Sequence, residues 1–387
     1  MFKTTKLQPY LLIIVLFLLP NSASLAQNVG LAIQGKIDSI VDKIMIENKI
    51  VGLSIGIVKD NTIFYTKGYG TREINTTKPI DQYTNFLTSS ISKLFTATAI
   101  MQLVEKEKID LKSKLTDYIP DFEMKDERYK EITIEQMLTH TSGLPNIWKE
   151  NYINPSSDSF ALSDFARKLK KEKLSYRPGV QLSSDTYSNT AYNILGLVIE
   201  RITNQTFDHY VTNNVLVPAK MDSSRYTYKE INDDRLSQPH VKNNLTGKVE
   251  TSNYYPNLPQ DKPCGNLNSC SYDMCQWIIH NLSIYNGNSP SLAVLSMNTL
   301  TTMWTTQRQI PTSKTSIGLG WWIVQSDKYG KYVFHVGNDP GFSSTLIISP
   351  DSKFGIVVLC NARYPQDIVW NKIPYDIMNI LGVDWRK

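Results

Sequence analysis

The sequence predicts an α/β fold of the α+β kind. One antiparallel sheet is built from both chain ends and flanked by helices, with a mostly helical region inserted between. Three observations predict it. Strand-like runs lie at the two ends of the 387-residue chain, Val51–Val58 and Thr62–Thr66 at one and four runs between Gly318 and Leu359 at the other. Apolar residues recur at helical spacing through the middle. The strands are joined by short turns such as Lys59-Asp60-Asn61, which excludes an all-parallel sheet. The α/β part is expected over about 27–125 and 285–387, and the helical part over about 126–284.

In chain order, residues 1–26 read as a secretory signal. Lys3 and Lys6 precede the apolar run Leu11–Leu19, and Ser24-Leu25-Ala26 offers small residues for cleavage before Gln27. That run is too short to span a bilayer. The expected location is therefore periplasmic or secreted, with no stable membrane span after cleavage. Ile33, Ile37, Ile40, Val41, Ile44 and Met45 form one face of a helix over 33–50. After the first hairpin, Gly68, Gly70 and Pro79 punctuate a loop. A helix follows from Ser90, a short one at 134–138, and others at 160–172, 190–203 and near Asp273–Leu282. The Asn-rich stretch 204–260 reads as loops with short helices. The last strands are expected at Gly318–Val324, Tyr332–Val336, Thr345–Ile348 and Gly355–Leu359, before a final helix at about 366–381.

Composition is that of an ordinary globular protein, 41% hydrophobic and 20% charged. The net charge of +5 is small and dispersed, and no basic run interleaved with aromatics tracks a phosphate backbone, which excludes a nucleic-acid reader. Arg167-Lys168-Leu169-Lys170-Lys171 reads as the solvated face of a helix. Cys264, Cys270, Cys275 and Cys360 lack the spacing of a zinc site. A disulfide among them and buried free thiols are both open. No metal or organic cofactor is called for.

Chemistry concentrates at Ser90-x-x-Lys93. Residues three apart share a helix face, so the Lys93 amine reaches the Ser90 hydroxyl. A serine at a helix start sits among unpaired N–H groups that stabilise an oxyanion. A lysine held in an apolar helix loses hydration, which favours its neutral form, and a neutral amine accepts a serine proton. Alone, such a pair arises by chance roughly once or twice in a chain of this length. Two further words accompany it. In Tyr187-Ser188-Asn189, a tyrosine hydroxyl can relay protons and an amide can bond a substrate carbonyl or the Lys93 amine. His335-Val336-Gly337 ends a strand, where Gly337 would let a substrate approach the edge and the N–H of Asn338 would face that of Ser90 across an oxyanion. Gly52-Leu53-Ser54-Ile55-Gly56 fits the Gly-x-Ser-x-Gly pattern, but it lies in an apolar run before a hairpin, not in the strand-turn-helix elbow that a nucleophile there requires.

The order Ser90-x-x-Lys93, Tyr187-x-Asn189, His335-x-Gly337 resembles the serine β-lactamase and penicillin-binding superfamily, over about residues 33–383. The words Leu138-Thr139-His140-Thr141-Ser142-Gly143-Leu144-Pro145 and Gly265-Asn266-Leu267, with Asp273-Met274 and Trp277, are similar to the class C-like branch, which includes DD-carboxypeptidases, D-aminopeptidases and esterases. The resemblance implies a β-lactamase/transpeptidase-like fold. It implies Ser90 as acylated nucleophile, and Lys93 and Tyr187 sharing proton transfer. Asn189 and His335 would act toward substrate, and Ser90 and Asn338 N–H groups would form the oxyanion hole. His335 stands where true β-lactamases carry lysine. Histidine is only partly charged near neutral pH, which tilts the expectation toward a D-peptidase, DD-carboxypeptidase or esterase. Lys314-Thr315-Ser316 is no substitute, because it lacks glycine and precedes the strand carrying His335. The expected substrate is a small molecule or peptide, with peptidoglycan peptides and β-lactams included. The alternatives are a true class C-like β-lactamase and a catalytically silent scaffold.

Overall fold

The computed structural model describes residues 22–147, 160–288, 290–311 and 313–382. The apolar run Leu11–Leu19 of the expected signal lies outside them, and the first helix, α1 (Ser22–Asn48), already spans the expected cleavage position. Strands β1 (Gly52–Lys59) and β2 (Thr62–Gly70) form the first hairpin. Asp60 and Asn61 both take positive φ, 50° and 58°, the conformation that a two-residue hairpin turn demands and that Asp and Asn tolerate.

After β3 (Phe86–Leu87) come α2 (Ser92–Glu105), α3 (Leu115–Tyr118) and α4 (Ile134–Leu138). Thr133 and Gln136 close a reciprocal cap on α4. Next are α5 (Ala161–Lys168), α6 (Asn189–Thr203) and α7 (Phe207–Val211), then the small hairpin β4 (His240–Lys242) and β5 (Val249–Thr251), and β6 (Asn268–Ser269) paired with β3. Helices α8 (Ser271–Tyr285) and α9 (Met297–Met303) lead to β7 (Arg308–Gln309), β8 (Thr315–Ile317), β9 (Trp322–Ser326), β10 (Gly330–Asp339), β11 (Phe342–Ser349), β12 (Phe354–Cys360) and α10 (Ile373–Ile380).

The main sheet has eight strands in the order β2-β1-β12-β11-β10-β9-β8-β7, antiparallel throughout. Both chain ends meet where β1 pairs with β12, Leu53 opposite Cys360. One face packs on α1 and α10 through Ile37, Val41, Ile44, Ile373 and Ile377. The other carries α8 and, beyond it, a second and larger core shared with the helical region. The two expected parts interpenetrate there: α2 packs on α6 and α7, and α8 packs under β1 and β12.

Two elements differ from expectation. Gly318 to Trp321 form a turn, not the start of β9, with Gly320 at φ +86° and its missing Cβ 2.6 Å from the Ala97 Cβ. The glycine is what lets that turn seat on α2. The last helix is split: residues 368–372 make a wider turn before α10, because Pro374 has no N–H to offer the carbonyl of Trp370. All four cysteines are buried free thiols. No described helix is long and apolar enough to cross a membrane.

Candidate active site

Ser90 sits at the entry to α2, but the α-helix proper begins two residues later. Ser89 takes φ +52°, and Ser89–Ile91 form a tighter 3-10 turn. A dense set of bonds fixes that turn. The N–H and hydroxyl of Thr88 both donate to the Leu267 carbonyl at 2.8 Å. The Ser92 hydroxyl donates to the Ser89 carbonyl at 2.7 Å and accepts the Leu267 N–H at 2.9 Å. Thr96 donates to the Pro263 carbonyl at 2.6 Å. Residues 263–267 are thereby laced along α2. Lys93, fully buried, donates to Ser90 Oγ at 3.0 Å and to the Cys264 carbonyl at 2.7 Å. Neither acceptor carries a charge.

Tyr187 is placed from the other side. Ser188 caps α6, its hydroxyl accepting the Ala191 N–H at 3.1 Å and donating to the Leu144 carbonyl at 3.0 Å. Asn146 bridges the same start, donating to the Tyr187 carbonyl and accepting the Asn189 N–H, both at 2.8 Å. The Tyr187 ring centre then lies 5.1 Å from Lys93 Nζ. It also packs on the His140 ring, 4.2 Å between centres and tilted by 34°. His140 accepts the Ser188 N–H at Nδ1, 3.1 Å, so its own proton belongs on Nε2, which is buried without a partner. Burial, with Lys93 and His335 nearby, holds the imidazole well below its ordinary value and therefore neutral.

β10 supplies the third wall. His335 is buried, and its Nδ1 lies 2.8 Å from the Val336 carbonyl, which places the proton there and leaves Nε2 bare and unpartnered. Burial, with the Lys93 charge adding to it, pushes this imidazole down to about 3. It is a neutral group at physiological pH, not a partly charged one. A Cβ on Gly337 would collide with the Thr88 carbonyl and the Ser344 hydroxyl, itself a donor to Thr88. The glycine thus makes room for the turn that carries Ser90. Trp370 Nε1 donates to the Gly337 carbonyl at 3.0 Å and fixes the strand from behind. Asn338 donates to Gln366 at 2.7 Å.

Ser90, Asn189, Asn193, Asp261, Asn338 and Asp339 line one pocket. The structure gathers Ser90, Lys93 and Tyr187 about a single amine and sets Asn189 and Asn338 in the pocket wall. Lys93 donates to Ser90 and Cys264, and the Asn189 Oδ1 in the pocket wall is buried with no partner. The Gly-x-Ser-x-Gly serine lies apart: Ser54 is buried in β1 and donates to Ser271 at 2.8 Å. Lys314 is exposed and pairs with Asp327.

Sequence reasoning gave no role to Asn146, His140, Asp261 or the Cys264 carbonyl. His140 lies in a signature word within a turn-rich stretch, the one local signal available, and takes φ +55° in the structure. Among the described residues there is no group of side chains able to hold a metal ion.

Residues 37–372 match the family model described as Beta-lactamase. The chain is 28% identical to Protein flp of Staphylococcus aureus strain MRSA252 over 85% of its own length, and it spans 63% of that relative. It is 26% identical to Penicillin-binding protein 4* of Bacillus subtilis strain 168, over 79% of this chain and 68% of that one. The octameric penicillin-binding protein homologue from Pyrococcus abyssi superposes with a TM-score of 0.77 at 25% identity, covering 91% of this chain and 78% of that one. Fold, site geometry and these likenesses agree: the chain belongs to the beta-lactamase family, whose members are generally serine hydrolases.

Proposed function

We propose that this protein is an exported serine hydrolase that forms an acyl-enzyme at Ser90 and cleaves an amide or ester, such as a D-alanyl-D-alanine-type peptide or a small acyl ester. The single observation that carries the reading is the buried Lys93 amine 3.0 Å from Ser90 Oγ with only uncharged acceptors. In its neutral form that amine takes the hydroxyl proton as Oγ attacks the substrate carbonyl. The N–H groups of Ser90 and Asn338 face the developing oxyanion. The proton passes from Lys93 to the leaving amine or alcohol, with the Tyr187 hydroxyl as relay, and the C–N or C–O bond breaks. Water then attacks the ester at Ser90, and its proton returns through the same pair.

A neutral His335 gives a penicillin carboxylate no fixed positive charge at the place where lysine would supply one. That favours peptidase or esterase chemistry over fast β-lactam turnover. The test is intact-mass spectrometry after a fluorophosphonate and a fluorescent penicillin. One adduct is expected on the native protein and none on Ser90→Ala, while Lys93→Ala labels about a thousandfold more slowly or worse. A native protein that takes neither probe would make the chain a scaffold. Rapid nitrocefin hydrolysis would move it to the β-lactamases.

A further inference from the structure

We propose that Asn146 is a positioning residue for the reaction at Ser90, its carboxamide fixing Tyr187 and Asn189 together by bonding to the chain on both sides of Ser188. This rests on the acyl-enzyme reading above and adds a residue to it.

The chain on either side of Tyr187 does little to hold it. Upstream, Ser184–Thr186 form a single 3-10 turn, with Ser184 and Asp185 exposed. The Tyr187 N–H reaches back to the Ser184 carbonyl at 3.4 Å, long for such a bond. Downstream, α6 begins, and the first N–H groups of a helix have no partner within it. Ser188 accepts the Ala191 N–H. Asn146 accepts the two before it on Oδ1, Asn189 at 2.8 Å and Thr190 at 3.4 Å. Its Nδ2 donates to the Tyr187 carbonyl at 2.8 Å. With its oxygen toward two donors and its nitrogen toward an acceptor, the amide is fixed in one orientation.

Through these bonds one side chain reaches two working groups. A Tyr187 carbonyl released from Asn146 lets the backbone turn there, and the ring leaves its place 5.1 Å from Lys93 Nζ. Asn189 carries the unpartnered Oδ1 of the pocket wall, and Asn146 holds that residue by its N–H. The bonds from His140 and Leu144 end on Ser188, between the two. Asn146 itself lines the pocket with Ser90, so the wall that meets the substrate also sets the proton relay. Both bonds need a carboxamide. An aspartate accepts from α6 but cannot donate to Tyr187, and an alanine does neither. A helix cap alone would be served as well by aspartate as by asparagine, which separates capping from positioning.

The experiment labels Ser90 in the native protein, Asn146→Asp and Asn146→Ala, each checked for native circular dichroism. Two probes are used: an alkyl fluorophosphonate, which brings no amide, and a fluorescent penicillin, whose side-chain N–H the Asn189 oxygen can accept. The maximal labelling rate and the half-saturating concentration are read separately. Asn146→Asp is expected to lower the maximal rate with both probes by about tenfold or more, as a displaced proton relay does. Its half-saturating penicillin concentration should stay within about twofold of native, because the bond to the Asn189 N–H survives. Asn146→Ala should show the same fall in rate and, in addition, a rise of about fivefold in half-saturating penicillin, the worth of one ordinary hydrogen bond. Native rates in Asn146→Asp would reduce Asn146 to a helix cap and overturn the proposal. Native rates in Asn146→Ala beside slow ones in Asn146→Asp would assign the effect to the added charge and overturn it equally. So would a change confined to half-saturation in both variants. Absence of labelling on the native protein overturns the acyl-enzyme reading and this proposal with it.

Discussion

The two faces of the eight-stranded sheet are built in opposite ways. On the outer face, Leu53, Ile55 and Ile57 of β1 and Ile356 and Val358 of β12 meet aliphatic side chains of α1 and α10. On the inner face the same strands interleave Val58, Val357 and Leu359 with Ser54, Gly56 and Gly355, and β10 presents Gly337. Side chains built there would run into Cys275 and the Ser271 carbonyl, into Ile278, and into the Thr88 carbonyl. Strand alternation makes both faces from one sequence. The outer contact is side chain on side chain, which relaxes when a methyl group is lost. The inner contact brings backbone against helix and turn, which cannot rotate away. Both faces bury aliphatic core, and the placement of Ser90 depends on the glycine contacts of the inner one.

The largest expected effect separates the two. Ile356→Ala should lower the unfolding free energy by about 2–5 kcal/mol, read from the urea midpoint. Its folded fraction should be labelled at Ser90 within about twofold of the native rate, since the cavity lies on the far side of the sheet. A collapse of labelling would mean that the outer core positions the site and would break the comparison.

Gly337→Ala should do the reverse. Its methyl group displaces the turn at Thr88, and a misplacement near 1 Å slows acylation by about a hundredfold. Cooperative unfolding should persist. Native labelling rates in this variant would show that the turn has room to move.

A smaller effect is set by pH. His335 and His140 are neutral in the folded protein, whereas unfolded imidazoles titrate near 6.5. Between that value and about 3 for His335, the unfolded chain binds protons that the folded one refuses. Stability is therefore full above 6.5 and falls as the pH drops through this window, by up to about 1.4 kcal/mol per pH unit for each such group. Urea midpoints at pH 7, 5 and 4 should show a steeper fall in the native protein than in His335→Gln. Helices α1 and α10 contain no histidine; the Asp38 carboxylate of α1, held below its ordinary value, adds to the acid end of the slope equally in the native protein and in His335→Gln. The smallest change, Ile356→Val, should cost about 0.5–1.5 kcal/mol and leave labelling untouched, which sharpens the contrast with a single methyl added at Gly337.

Much of the fold was legible because its signals are local. Asp60-Asn61 announces a hairpin and the run from Leu94 to Val104 a buried helix. The short strands β7 and β8 were not legible, since two or three residues carry no measurable alternation. At the site, Ser90 and Lys93 were legible as a pair three residues apart. The second Lys93 partner, 171 residues away at Cys264, was not. Asn146 gave no warning either, because a capping amide supplied from 43 residues upstream follows no spacing rule.

Residue order alone settled the first hairpin turn, the helix faces, the alternation of the longer strands and the three words around Ser90, Tyr187 and His335, because each depends on neighbours within one or two turns of chain. Tertiary structure alone decided that Gly337 makes room for Thr88, that the His335 imidazole is stripped of water and neutral, and that Asp261 and Asp339 share the pocket with Ser90. Dielectric, close approach and convergence are properties of atoms brought together from distant parts of the chain, and no local pattern encodes them.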